Sequence, residues 1–137
     1  GVGRLCLQAH LSWKVRATIG VELSQSRHDK AAKALRRLRE QGGIDEARSI
    51  SLVCGDALTA DVSEATLVYL ACTCWDCAFV TAILDHLRRN ATSLRCVVAT
   101  ESFEKKFDME PSWLRLKETV VLPQSWDDEW PVHIYLT

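Results

Sequence analysis

Gly1-Val2-Gly3-Arg4-Leu5-Cys6-Leu7-Gln8-Ala9, followed by Ala17-Thr18-Ile19-Gly20-Val21-Glu22, is the stretch on which the fold turns. Apolar residues at positions 2, 5, 7, 9 and 11, with no breaker after Gly3, predict a helix that opens at the glycines. The β-favouring run that follows predicts a short strand ending at Glu22. Glycines at a helix start let the backbone approach a ligand. A carboxylate about 20 residues on, at a strand end, suits ribose hydroxyls.

Working outward, Ser24 or Ser26 caps a helix over 25–41 that places Ala31, Ala34, Leu35 and Leu38 on one stripe. Gly42-Gly43 stops it. Residues 49–53 and 66–70 read as strands, 75–89 as a helix with Phe79, Ile83 and Leu87 at helical spacing, and 94–100 as another strand. Residues 113–122 and 132–136 read as a closing antiparallel pair. Strands alternating with helices imply an open α/β sheet with helices on both faces and an antiparallel edge hairpin. Without repeats or a linker, 1–137 is expected to be a single domain.

Composition narrows the function classes. The chain has 137 residues, 47% hydrophobic and 26% charged, which excludes disordered and low-complexity classes. Its apolar runs fall short of the roughly 20 residues that cross a bilayer, so no membrane partner is expected. Seventeen basic against 18 acidic side chains exclude broad electrostatic attachment to nucleic acid. The basic stretch Arg27, His28, Lys30, Lys33, Arg36, Arg37 and Arg39 reads as a solvated helix face, and direct nucleic-acid binding is not expected. Six cysteines, several inside apolar runs, fit a reducing intracellular setting better than a disulfide framework. Cys72, Cys74 and Cys77 lack an obvious fourth partner and read as structural, so no metal is expected.

A second acidic position, Gly55-Asp56-Ala57-Leu58, follows a strand. Its carboxylate could accept an adenine amino group between apolar neighbours. Cys6 takes the position of the third glycine in the dinucleotide fingerprint. That counts against a nicotinamide cofactor and makes no difficulty for S-adenosylmethionine, which has no phosphate.

In this order the residues resemble the non-SET histone-lysine methyltransferases of the disruptor-of-telomeric-silencing type. Gly1 to Ala9 is similar to that family's glycine loop and first helix, and Gly20-Val21-Glu22 to its ribose-binding strand end. Gly55-Asp56 resembles its adenine-side motif, and Leu67-Val68-Tyr69-Leu70-Ala71-Cys72 its fourth-strand motif. Leu122-Pro123-Gln124-Ser125-Trp126 and Pro131-Val132-His133-Ile134-Tyr135-Leu136 resemble its last hairpin. The resemblance implies a Rossmann-like class I methyltransferase sheet, S-adenosylmethionine as cofactor, and a protein lysine, on a histone or another protein, as acceptor. It places the cofactor at Gly1, Val2, Gly3, Arg4, Glu22, Leu23, Asp56, Ala57 and Cys72.

By the same resemblance the catalytic positions are Ala71, where the family usually carries asparagine, Trp126 and Tyr135. The channel tyrosine falls at Ile134 or Tyr135 according to register. An aromatic channel would suit the sulfonium and the methylated amine, with Trp75 and Phe79 as further candidates. A nuclear or cytoplasmic chromatin enzyme is the implied setting, with an organelle also open. A catalytically inactive subunit of a larger assembly is the alternative. The chain opens on Gly1 and its sole Met is Met109, which reads as a cut at the front. In that family the first strand lies mid-sheet and would end just before Gly1. Another segment or chain is therefore expected to complete the sheet.

Overall fold

The computed structural model describes residues 1–124 and 127–137. They form two compact units, Gly1–Ala60 and Asp61–Thr137.

The first unit contains α1 (Arg4–Ser12), β1 (Ala17–Glu22), α2 (Gln25–Glu40) and β2 (Ser49–Cys54). β1 and β2 pair in parallel, with Gly20 opposite Leu52 and Glu22 opposite Cys54. Parallel strands require a crossover, and α2 provides it. Ser24 is the N-cap of α2, yet its side chain makes no capping bond. The helix closes in a Schellman arrangement: the Gly43 N–H donates to the Leu38 carbonyl and the Gly42 N–H to that of Arg39, with Gly42 at φ +69°. Leu7, Leu35, Ile44 and Ile50 form the core here, with Ala34, Leu38 and Leu52 packed against it.

Two glycines set how closely α1 approaches the sheet. Gly3 caps α1 at φ +76°, a left-handed conformation, and a Cβ there would meet Ala31 Cβ at 3.0 Å. At Gly20 a Cβ would lie 2.7 Å from Cys6 Sγ and 3.1 Å from Leu52 Cδ2. The close helix–strand contact that a third glycine would provide is thus made from the strand side, with Cys6 filling the space above Gly20.

The second unit holds β3 (Leu67–Leu70), α3 (Cys77–Asn90), β4 (Cys96–Ala99), α4 (Phe103–Phe107), β5 (Arg115–Leu122) and β6 (Trp130–Leu136). The strand order is β3-β4-β6-β5, with β3 and β4 parallel and β6 antiparallel to both its neighbours. The expected edge hairpin is therefore present, with an irregularity between Leu116 and Glu118. α3 begins two residues later than the expected Trp75, because the Asp76 carboxylate accepts the Phe79 N–H at 2.8 Å and caps it. It buries Val80, Ile83, Leu84 and Leu87. The five-residue α4 was not expected from periodicity. Ser102 caps it by accepting the Lys105 N–H, and Phe103 and Phe107 are its buried pair. Among the described residues, β1 pairs only with β2, and β3 only with β4.

Because Gly20 and Cys6 share one space, Gly20→Ala is expected to cost about 1–3 kcal/mol by overpacking. Adding Cys6→Ala should recover most of that loss. Urea unfolding of the wild type, both single variants and the double variant measures the coupling, and additive effects would exclude the contact.

Candidate functional site

In the first unit the carboxyl ends of β1 and β2 are tied together: the Gly55 N–H donates to the Glu22 carbonyl at 3.0 Å. The Glu22 side chain is 13% exposed. One carboxylate oxygen, Oε1, accepts the Ser24 N–H at 2.7 Å, while the Arg27 and His28 N–H groups of the first turn of α2 bond the Ser24 carbonyl. The other oxygen meets the Gly1 nitrogen, and the Arg27 guanidinium lies 3.8 Å from it. Strand end and glycine loop therefore converge. Val2, Arg4 and Leu23 flank this place on the exposed surface. Asp56 is exposed, and its Oδ1 accepts the Leu58 N–H at 2.9 Å, so the carboxylate braces its own turn. Ala57 beside it is half-buried.

The remaining candidates lie in the second unit. Ala71 is exposed just after β3, and Cys72 is wholly buried, its N–H donating to Thr100 Oγ1 at 2.9 Å. Burial raises the Cys72 thiol above the usual thiol range. Trp75 and Phe79 make an edge-to-face pair with centroids 4.9 Å apart. Trp126 lies outside the described residues. No group of three or more metal-ligating side chains occurs among the described residues.

The alternative between Ile134 and Tyr135 is resolved by register. Tyr135 pairs with Val97 across β4 and is wholly buried, stacked on Phe103 with centroids 4.5 Å apart. Its hydroxyl accepts the Phe103 N–H and donates to Glu104 Oε2, each at 3.0 Å. The expectation of a channel phenol at Tyr135 is accordingly corrected: this side chain is a core brace. Ile134, on the opposite face of β6 by strand alternation, carries no phenol. Burial pushes the Tyr135 phenol up to about 12; the Phe103 N–H opposes this and Glu104 adds to it. Burial works against the Glu104 carboxylate, but its own N–H and the Ser102 and Tyr135 hydroxyls outweigh it, holding its pKa below the usual range.

Sequence reasoning passed over one polar constellation. Lys106 Nζ donates to the Thr73 carbonyl at 2.6 Å and pairs with Glu101 at 3.0 Å. Beside it His133, nearly buried, bonds Thr119 Oγ1 through Nδ1 at 2.9 Å. These residues come from four separate segments. The only local signal was a carboxylate directly after a predicted strand.

No protein-family model matches the chain, and no curated protein matches it in sequence. Solved structures do match it in fold. A proposed methylase from Haemophilus influenzae superposes with a TM-score of 0.67 at 15% identity, covering 99% of this chain and 81% of that one. A proposed tRNA (m1A22) methyltransferase from Streptococcus pneumoniae, solved in complex with S-adenosyl-L-methionine, gives 0.72 at 9% identity and covers 100% of this chain. TrmK of M. capricolum, solved with S-adenosyl-homocysteine, gives 0.60 at 13% identity and covers 99%. The chain spans 62% and 57% of the last two proteins. It therefore has the class I methyltransferase fold. These structures support the sequence resemblance as far as the fold and do not extend it to a histone-lysine acceptor.

A raised phenol pKa has a defined sign. In the unfolded chain Tyr135 ionises near pH 10, whereas in the folded one it holds its proton to about pH 12. Its stabilising contribution is therefore complete below pH 10 and lost as pH rises towards 12. In urea unfolding between pH 8 and 11, the wild type should lose stability more steeply than Tyr135→Phe at the alkaline end. Parallel curves would contradict the buried phenol.

Proposed function

We propose that this chain is an S-adenosylmethionine-dependent methyltransferase domain whose acceptor is a protein lysine. The observation that carries the cofactor reading is the convergence of Glu22 with the glycine loop. One carboxylate oxygen is spent on Ser24 and the other faces the loop, where a ribose diol would take it. Gly3 at positive φ keeps that loop close to the sheet, and the Glu22–Gly55 bond holds the next strand end beside it. Asp56 and Ala57 supply the adenine side on this reading, and Val2, Arg4 and Leu23 are further expected cofactor positions of the first unit.

The bound cofactor would supply an electrophilic methyl group. The chain's task is to hold the acceptor in line and keep water out, which is mostly positioning. The lysine acceptor and a chromatin-associated setting rest on the sequence resemblance, and an intracellular one on the cysteines inside apolar runs. Ala71, which brings no polar group where the family usually carries one, favours the second reading of a non-catalytic subunit.

We also infer that a parallel strand from outside residues 1–137, on a neighbouring segment or another chain, pairs with β1. α1 and α2 both pack on the β1–β2 sheet, and right-handed crossovers advance in one direction across a sheet. A strand feeding α1 would then lie on the edge of β1 away from β2.

Calorimetry of the chain with S-adenosylmethionine tests the cofactor. Saturable binding is expected, weakened about tenfold or more in Glu22→Gln through loss of a charged hydrogen bond. No binding by the folded chain would overturn the enzyme reading. Labelled methyl transfer into a cell extract, read by mass spectrometry, tests the acceptor. Label on lysine is expected, and label confined to nucleic acid would replace the acceptor class.

A further inference from the structure

The Lys106 constellation in the second unit is built like a receptor for a cation. Its two acceptors, the Thr73 carbonyl at 2.6 Å and Glu101 at 3.0 Å, follow β3 and β4. They thus stand beyond the carboxyl ends of neighbouring parallel strands, where open α/β sheets bind ligands. The Glu101 side chain is only 16% exposed, and a carboxylate removed that far from water needs a cation. A cavity of about 500 Å³ adjoins it, lined among others by Glu101, Ser102, Lys106, Thr119 and His133. That volume suits a small ligand or a single long side chain. Lys105 also lines the cavity, and burial, with Lys105 beside it, lowers the His133 pKa against the pull of Glu104 and Glu101. Lys106 itself is 36% exposed and hangs from a five-residue helix, so it can leave without opening the core.

We propose that Glu101 and the Thr73 carbonyl form a seat for a primary alkylammonium group, such as a lysine side chain of a protein partner, and that Lys106 is a built-in occupant which that group displaces. The binding of an ammonium ion here does not depend on the methyltransferase reading. The seat selects a cation with several donor hydrogens. Lys106 lowers the apparent affinity for any competitor by the fraction of time it occupies the place.

The test is a nuclear magnetic resonance titration of the 137-residue chain with n-butylammonium chloride, which carries the four-carbon stem of lysine. Sodium chloride at matched ionic strength is the control. Lys106→Met should show saturable shifts at the amides of Thr73, Glu101 and His133, with an apparent affinity about tenfold above that of the wild type. Lys106→Gln should do the same and keeps the test open if the first variant folds poorly. Adding Glu101→Gln to either should abolish the effect. Equal affinity in wild type and Lys106 variants, shifts reproduced by sodium chloride, or binding that survives Glu101→Gln would each overturn the proposal. No cofactor enters the titration, so its failure and a failure to bind S-adenosylmethionine are separate results.

Discussion

The contact of Cys6 with Gly20 is the constraint on which the first unit depends. Without a side chain on the strand, α1 can sit close enough for a cysteine sulfur to fill the gap, and the loop that starts the helix is drawn onto the sheet. The left-handed Gly3, seated against Ala31 and Leu52, follows from the same approach. So does the meeting of the loop with Glu22. Dinucleotide-binding proteins spend a glycine of the helix on this closeness. Here the small residue is on the strand, and the chain reaches a similar packing with the roles exchanged.

The carboxylates show how differently acidic residues serve one fold. Glu22 is divided between Ser24 and the glycine loop, which leaves it aimed at a ligand position. Asp56 is turned back on its own loop, and Asp76 caps a helix. Glu104 is held by the Ser102 and Tyr135 hydroxyls, bracing α4 against β6. Glu101 is matched by a lysine from the same chain. Residue type alone does not distinguish these roles; the identity of the donors each carboxylate meets does.

The local features of this chain were readable in its sequence because they depend on neighbours. The stripe of Ala31, Ala34, Leu35 and Leu38, the stop at Gly42-Gly43, and the strand ending on Glu22 all appear where periodicity and turn chemistry put them. What escaped was set by distant partners. α4 is too short for periodicity to register, though Ser102 with Phe103 and Phe107 four apart was its available signature. The fate of Tyr135 depended on pairing with Val97 and stacking on Phe103, 32 positions away. The Lys106 seat joins β3, β4 and α4, an arrangement with no footprint in any one segment.

Using a sulfur atom as the spacer under the first helix brings a chemical liability, and the fold contains it. Burial raises the Cys6 thiol above the usual thiol range, so at neutral pH the group stays protonated. Peroxide attacks the thiolate, the form that the raised pKa of Cys6 disfavours. The burial that lets Cys6 act as packing material therefore also protects it from oxidation. Cys54, Cys74 and Cys77 are more exposed than Cys6 and stand open to oxidants first.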